Sequence, residues 1–181
     1  MADLTVITPT VGRSTLTELA GCVNRQTVPA EWLTMYDEHR EGPAVLRNRM
    51  VEHATTEWVN PVDDDDLLDT EYVGVLSQFL TAEFDVVYAW CRVEGRWEPD
   101  VFQHPADHAV GRLRYENLIP NCAAIRRDLW LELDGQRDIE FEDWDFWLRA
   151  RHVGARFHCV EQPLWTVRMG DWQHRTDEVG T

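Results

Sequence analysis

The chain has 181 residues, of which 44% are hydrophobic and 10% aromatic, and this composition excludes a disordered or fibrous protein. Its formal net charge of −16 argues against unassisted binding to nucleic acid and against binding to an anionic membrane, because both partners attract a basic surface. Because of this charge, a phosphate-bearing ligand has to be held locally by a metal ion and arginine, and all 17 basic residues are arginine.

The cysteines and the hydropathy pattern bear on the compartment. Cys22, Cys91, Cys122 and Cys159 form no CxxC pair, so we expect reduced, buried thiols rather than a zinc site or a disulfide framework. No apolar run approaches the roughly 18 residues of a membrane span, and the N-terminus lacks a secretory signal pattern. We therefore expect a cytoplasmic protein without membrane insertion, folded as one compact domain over 1–181.

The first sixty or so residues alternate between strand and helix patterns. Short β-branched or aromatic runs predict strands over 4–7, 32–36 and 58–62, and amphipathic spacing predicts helices over 15–26 and from 43 onwards. Thr15 and Glu18 have the spacing of a capping box. Pro43 suits the first position of the second helix. This alternation predicts parallel strands joined by right-handed crossovers.

The second half continues the alternation less regularly. Helices are predicted over 70–80, 127–133 and 141–154, strands over 84–90, 121–125 and 157–160, and a hairpin remnant with a loop over 92–118. Asp134 and Gly135 are expected to end the second of these helices. The chain is therefore predicted to be a single Rossmann-like α/β domain, with a mostly parallel central sheet flanked by helices.

Four consecutive aspartates, at positions 63–66, follow directly after the third predicted strand. Adjacent carboxylates repel by about 1 kcal/mol per pair in water and more when partly buried, so a fold that fixes them needs a cation. Oxygen ligands suit Mg²⁺ or Mn²⁺, and the carboxyl end of a strand is where open α/β sheets bind ligands. The alternative is a solvated charge run with one aspartate capping the next helix.

Two further acidic positions fall at the ends of predicted elements. Asp37 follows the second strand, and Glu142 and Asp143 open the helix over 141–154. A metal ion held by few protein ligands leaves room for phosphate oxygens, and a separate carboxylate can deprotonate an incoming hydroxyl. This combination favours group transfer from a nucleotide-activated donor. Alternatively, Glu142 and Asp143 merely complement the helix dipole.

Five segments, in this order, resemble the signature of family 2 glycosyltransferases of the GT-A fold. They are Val6–Thr10 followed by Arg13, Gln26–Pro29, Glu41–Ala44 with Arg47–Arg49, Asp63–Leu67, and Glu142–Asp145, and the likeness extends from residue 4 to about 168. The resemblance implies a nucleotide-sugar donor (UDP-, GDP- or TDP-sugar) and Mn²⁺ or Mg²⁺ at a DxD motif. It also implies inversion of the anomeric configuration by direct displacement onto a hydroxyl acceptor whose class stays open.

The resemblance also assigns roles to individual residues. One set is expected to bind the donor: Thr8, Pro9, Thr10, Arg13, Asp37, Arg47, Arg49, Asp63 and Asp64. Asp63 and Asp65 form the DxD pair, with Asp65 expected to bind the metal directly. Asp143 corresponds to the general base, supported by Glu142.

The polar tail over 168–181 resembles a segment that folds over the donor in many relatives. His174 is its candidate for a further metal ligand, and a neutral imidazole suits Mn²⁺ better than Mg²⁺. The alternative to such a lid is an exposed polar tail without a part in the site.

Two other functions stay open on the sequence. A nucleotidyl- or phosphotransferase would use the same acidic metal site, but the sequence has no glycine-rich phosphate loop and no lysine. A non-catalytic nucleotide-sugar-binding or structural module would keep the fold without turnover. The intact DxD and Glu-Asp pairs favour a metal-dependent inverting glycosyltransferase over both.

Overall fold

The computed structural model describes residues 3–95, 101–104 and 107–168. Within these ranges the strands are β1 (Leu4–Thr10), β2 (Glu31–Tyr36), β3 (Trp58–Pro61), β4 (Leu67–Leu68), β5 (Val86–Glu94), β6 (Val101–Phe102), β7 (Ala123–Arg126) and β8 (Phe157–Arg168). The helices are α1 (Leu16–Asn24), α2 (Pro43–His53), α3 (Tyr72–Leu76), α4 (Arg127–Glu132) and α5 (Glu142–His152), and a 3₁₀ helix spans Asp107–Arg114.

The strands form one mixed sheet in the order β2-β1-β3-β7-β5-β8-β4, with β6 paired to β5. β1 pairs in parallel with β2 and β3, and β5 pairs in parallel with β8. β7 runs antiparallel to both β3 and β5 and so joins the two parallel halves. The predicted α/β fold with its early parallel crossovers is confirmed, although the expectation of a mostly parallel sheet is only approximate.

Both faces of the sheet are covered, which explains the apolar strands in its centre. Every residue of β1 and of β3 is buried, as expected for strands packed on two sides. Successive residues of β1 point to opposite faces. Ile7 belongs to one core, with Met50 of α2 and Trp147 of α5, whereas Val6 belongs to the core on the other face, with Leu19 of α1. All four cysteines lie within the described ranges, where each is buried and forms no disulfide, as predicted.

The predicted capping box at α1 is wrong. Thr15 has helical backbone angles, and its hydroxyl makes no capping hydrogen bond. Its Oγ1 atom is buried without a hydrogen-bond partner among the described residues. Glu18 instead accepts a hydrogen bond of 2.7 Å from Nη2 of Arg168 at the end of β8. The long-range ion pair therefore replaces the local cap.

Other differences from the predictions concern lengths. The helix predicted over 70–80 is confined to α3, and the short strand β4 before it was not predicted. The hairpin expected after β5 is present as the antiparallel pairing of β5 with β6, followed by a 3₁₀ helix. β8 continues past Val160 to Arg168, because a bulge realigns it with β5. In the described part of the chain, no helix is long and apolar enough to cross a membrane.

Candidate active site

The acidic run occupies a turn between β3 and β4. Val62 N donates a hydrogen bond of 3.0 Å to Ile7 O, which keeps the chain beside β1, and Asp66 N donates one of 3.1 Å to Asp63 O. The turn therefore lies at the carboxyl ends of the parallel strands β1 and β3, where the sequence placed a ligand site.

The four aspartates alternate between exposed and buried. The side chains of Asp63 and Asp65 are 42% and 35% exposed, whereas that of Asp64 is 3% exposed. Asp66 is 6% exposed. The turn thus presents the two carboxylates of the predicted DxD pair and buries the other two. A fully solvated charge run does not bury half of its carboxylates, so this arrangement supports a built site.

Asp64 is held by residues from the end of β1. Its carboxylate accepts a hydrogen bond of 2.5 Å from Thr10 Oγ1 and another of 2.7 Å from Nη1 of Arg13. The same Nη1 atom lies 3.1 Å from Oδ2 of Asp65, and the Thr10 hydroxyl accepts a hydrogen bond from Gly12 N. Thr10, Arg13 and Asp64, predicted to bind the donor, are brought together here, but their polar groups engage one another.

Arg47 connects the acidic turn to α5. Its side chain, only 2% exposed, donates from Nη2 to Asp63 Oδ1 at 2.5 Å. Nη1 donates to Glu142 Oε1 at 3.0 Å and to Gln136 Oε1 at 3.1 Å. Nε is buried without a partner among the described residues. The guanidinium is thus enclosed between the carboxylates of Asp63 and Glu142, and its expected contact with the donor stays a prediction.

Asp143 lies in the first turn of α5, next to this ion-pair network. Its Oδ2 accepts a hydrogen bond of 3.1 Å from Asn117 Nδ2, and its Oδ1 accepts one of 2.8 Å from Trp144 N. Burial raises the pKa of Asp143 above the ordinary aspartate value, although these two hydrogen bonds oppose the rise. A carboxylate with a raised pKa is a better proton acceptor, as a general base requires.

Two carboxylates of the turn, those of Asp65 and Asp66, have raised pKa values. Burial raises the pKa of Asp65, and the neighbouring Arg13 only partly offsets this. Burial, together with the charges of Asp63 and Asp65, raises the pKa of Asp66 well above its ordinary value. Because the clustered negative charge is unfavourable in the protein alone, a cation bound at the turn would relieve it.

The remaining predicted donor ligands have structural contacts. Thr8 and Pro9 are buried in β1, and the Thr8 hydroxyl accepts a hydrogen bond of 3.1 Å from Trp32 Nε1. Asp37 accepts hydrogen bonds from the backbone N–H groups of Glu41 (2.8 Å) and Gly42 (3.0 Å). Burial would raise the pKa of Asp37, but these hydrogen bonds lower it overall. The Asp37 side chain therefore shapes the loop between β2 and α2.

Arg49, the second arginine predicted to approach the donor, is separate from the network around Arg47. Its guanidinium makes two hydrogen bonds to the carboxylate of Glu41, at 2.6 and 2.7 Å. This pair lies on the exposed side of α2. The structure thus brings Arg47, Asp63 and Glu142 together and leaves Arg49 outside.

Three polar residues at the site were not assigned from the sequence. Asn48 Oδ1 accepts hydrogen bonds from Gln136 N (2.9 Å) and Trp130 Nε1 (3.0 Å), and its Nδ2 donates to Gln136 O at 2.8 Å. Gln136 in turn supports Arg47, and Asn117 contacts Asp143. Asn48 lay within a motif already quoted, between two arginines, whereas Gln136 and Asn117 are in connecting segments without any distinguishing pattern.

A divalent ion fits the acidic turn if the donor completes its coordination. Within the described ranges, no group of three or more His, Cys, Asp or Glu side chains is arranged to hold a metal ion. Mg²⁺ is commonly bound through one or two carboxylates with substrate phosphates and water, and Asp63 and Asp65 are a partly exposed pair of this kind. His174, the predicted further ligand, lies outside the described residues.

Comparisons with solved structures support the fold. S. aureus TarS (residues 1–349, in complex with UDP-GlcNAc) matches with a TM-score of 0.77 and 17% identity, covering 98% of this chain and 62% of that chain. The mannosyltransferase PcManGT from Pyrobaculum calidifontis, in complex with GDP-Man and Mn²⁺, matches with a TM-score of 0.68 and 14% identity, covering 94% and 58%. The chain thus spans less than two thirds of the length of both, and at these identities the likeness shows the fold alone.

The sequence comparison identifies the family. A search among curated proteins finds no match. The family model described as glycosyl transferase family 2 matches residues 33–134, which is more than half of the chain and includes the acidic turn and Arg47. The predicted resemblance is therefore confirmed, and the protein belongs to glycosyl transferase family 2.

Proposed function

We propose that the protein is an inverting glycosyltransferase that moves a sugar from a nucleotide-sugar donor to a hydroxyl acceptor, with a divalent ion at Asp63 and Asp65. The observation that carries this proposal is the ion-pair network in which one buried arginine, Arg47, joins the DxD carboxylate Asp63 to Glu142 of the Glu-Asp pair. Two carboxylate groups with different tasks are thereby held at one edge of the sheet.

The metal side of the proposal rests on the exposed pair of the turn. Asp63 and Asp65 present carboxylate oxygens to solvent, and the diphosphate of the donor would supply further oxygens. A bound Mg²⁺ or Mn²⁺ would neutralise negative charge on the departing diphosphate. Two solved relatives support a donor of this class, since TarS was solved with UDP-GlcNAc and PcManGT with GDP-Man and Mn²⁺.

The acid-base side of the proposal rests on Asp143. Its carboxylate would take the proton from the acceptor hydroxyl as that oxygen forms a bond to the anomeric carbon and the bond to the diphosphate oxygen breaks. Because the attack comes from the side opposite the leaving group, the anomeric configuration inverts. Asn117 and the Trp144 backbone N–H would hold the carboxylate in position.

The closest rival is a non-catalytic module of the same fold. Such a module needs no proton acceptor, yet Asp143 combines a raised pKa with two orienting hydrogen bonds. Perturbed carboxylates of this kind concentrate at functional sites. The geometry therefore favours turnover over binding alone.

Incubation of the purified protein with UDP-, GDP- and TDP-sugars, with Mn²⁺, Mg²⁺ or a chelator, tests the proposal. We expect release of a nucleoside diphosphate from at least one donor class, and loss of this release when the chelator is added. Binding of nucleotide sugars without release, in the presence of varied alcohols and saccharides as acceptors, would instead establish the non-catalytic module.

A further inference from the structure

Phe141, directly before the Glu-Asp pair, has an unusual backbone conformation. Its φ of 61° and ψ of 46° are left-handed, a region that glycine or asparagine adopts readily and a bulky side chain rarely does. The side chain is 52% exposed, so core packing recovers little of the conformational cost. Strained residues of this kind cluster at ligand sites. A ligand that contacts the exposed ring would explain why the strained conformation is kept.

Phe141 contacts Trp144, the residue that directly follows Asp143 in the chain. The Phe141 ring meets the ring of Trp144 edge to face, with centroids 6.3 Å apart. The Trp144 indole donates a hydrogen bond of 2.6 Å to Leu113 O, which fixes it against the 3₁₀ segment. Asn117, four residues later, contacts Asp143. The segment between these two anchors contains Tyr115.

Tyr115 is the most exposed of the large hydrophobic side chains in the described part of the chain, at 72%. The guanidinium of Arg114 lies 5.6 Å from its ring centroid. Since Leu113 and Asn117 both touch the first turn of α5, the backbone carrying Tyr115 passes close to the carboxylate of Asp143. Two exposed aromatic residues, Phe141 and Tyr115, therefore come from two segments that meet at the proposed base.

We propose that Phe141 and Tyr115 form an acceptor subsite for a sugar ring, so that the acceptor is a saccharide; this inference rests on the proposed function. A pyranose has an apolar face of C–H groups and a rim of hydroxyls. An exposed aromatic ring suits the face, and nearby polar groups such as Asn117 and Asp143 suit the rim. The packed sugar would present one hydroxyl to Asp143.

A lipid or a peptide acceptor fits this surface less well. A lipid chain needs a continuous apolar groove, whereas the first turn of α5 carries Glu142, Asp143 and Asp145. A peptide acceptor does not need flat rings beside the base. The pairing of separate exposed rings with carboxylates matches an amphipathic ring-shaped ligand best.

The test uses nucleoside diphosphate release from the active nucleotide sugar with three acceptor groups: methyl glycosides, short alkyl alcohols and Ser/Thr-containing peptides. We expect at least one methyl glycoside to accelerate release. Phe141→Gly removes the ring and relieves the left-handed strain, so its melting temperature should be equal or higher. We expect its KM for that glycoside to rise about three- to tenfold, the range of one aromatic contact, and more than its KM for the donor.

Two further variants serve as controls for Phe141→Gly. Phe141→Tyr retains a ring and should keep the acceptor KM near that of the wild type. Val153→Ala removes an exposed hydrophobic side chain next to the opposite end of α5 and should change neither KM. An acceptor KM that is unchanged in Phe141→Gly would overturn the subsite.

The failure of this inference differs from the failure of the proposed function. Release accelerated only by alkyl alcohols or peptides, or release to water that no glycoside accelerates, would overturn the saccharide subsite and leave the glycosyltransferase intact. No release from any donor under any condition would overturn the proposed function and the subsite together.

Discussion

Nη1 of Arg47 lies 3.0 Å from Oε1 of Glu142, and this contact joins helix α2 to the first turn of α5. The other terminal nitrogen of the same guanidinium reaches Asp63. Two negative charges from distant parts of the chain thus share one buried cation. Any change that moves Arg47 therefore disturbs two places at once: the proposed metal ligand Asp63, and the first turn of α5, which carries the proposed base Asp143.

Replacement of Arg47 by methionine should therefore destabilise the protein. The substitution keeps most of the side-chain volume but leaves Asp63 and Glu142 without their counter-charge. Loss of one partner of a buried ion pair costs about 3–5 kcal/mol, and we expect about 3 kcal/mol because both carboxylates retain some contact with solvent. Urea denaturation of Arg47→Met and wild type measures the difference in the free energy of unfolding.

Arg49→Met is the matched control on the same helix. Its guanidinium is ion-paired with Glu41 but exposed, so we expect little change in stability. The double variant Arg47→Met/Glu142→Gln should recover part of the loss, since it also removes one stranded charge. An equal loss in Arg47→Met and Arg49→Met would contradict the central role of Arg47.

The contrast between these arginines shows where sequence reasoning reaches its limit. Both lie in the segment Arg47–Arg49, and the sequence offered them equally as donor ligands. Their positions two apart place them on different sides of α2. Only the packing of α2 on the sheet, against β1 and β2, decides which side is buried, and that packing is a long-range property of the fold.

The acidic turn was predicted more completely because its signal is local. A strand followed by consecutive aspartates predicts both the position and the chemistry of the turn, and the structure adds which carboxylates are buried. In contrast, β8 was predicted to end at Val160, whereas the observed strand includes Pro163, a residue that cannot donate a hydrogen bond to a neighbouring strand. Pairing with the distant strand β5 carries it through to Arg168. Tertiary pairing, which has no local signal, overrides the propensity there.

Asp65→Ala should abolish a joint effect of metal and nucleotide on thermal stability. Because carboxylate and diphosphate share the ion in our proposal, Mn²⁺ should raise the melting temperature mainly when a nucleoside diphosphate is present. When the ligand concentration is about a hundredfold above its Kd, the melting temperature should rise by about 5–10 °C. Differential scanning fluorimetry with and without both ligands measures it.

The control for this shift is Glu132→Gln, which removes an exposed negative charge from α4. Glu132→Gln should keep the rise in melting temperature that metal and nucleotide cause together. If the loss of any negative charge were enough to remove that rise, both variants would lose it. If Asp65→Ala retained the complete metal-dependent shift, Asp65 would not be a metal ligand.

Asp143→Asn should lower turnover by about 10² to 10⁴, the usual range for losing a general base, with donor binding near normal. Asp145→Asn removes a carboxylate from the same helical turn and serves as the control. If the acids of α5 only complement the helix dipole, both substitutions should act similarly, with stability losses up to about 1 kcal/mol and no specific loss of turnover. Steady-state kinetics on the two folded variants separates these hypotheses.

The pH profile of transfer tests the environment of Asp143. A general base acts only when deprotonated, so kcat should fall as the pH drops through its pKa, which burial raises above the ordinary aspartate value. The hydrogen bond from Asn117 lowers the pKa of Asp143. Asn117→Ala should therefore raise this pKa further and move the acid limb of the kcat profile to higher pH. A shift to lower pH would contradict the assignment.

Gly135 lies next to Asn48, which supports the hydrogen-bond network around Arg47. Its φ of +70° is left-handed, and a Cβ atom added there would lie 2.2 Å from Oδ1 of Asn48. That oxygen accepts the hydrogen bonds from Trp130 and Gln136 that hold the loop under Arg47. Gly135→Ala therefore has two separate effects, a strained backbone and a displaced Asn48.

Gly154→Ala distinguishes the two effects, because Gly154 also has a left-handed φ, +86°, but an added Cβ would meet nothing within 4 Å. The backbone effect alone should destabilise Gly154→Ala by about 1–2 kcal/mol. Loss of the Asn48 hydrogen bonds should add about 1–3 kcal/mol in Gly135→Ala and also reduce turnover, since Gln136 positions Arg47. Urea denaturation and nucleotide-release kinetics on both variants measure these differences. Equal stability losses with unchanged turnover would show that Asn48 moves aside without disturbing the site.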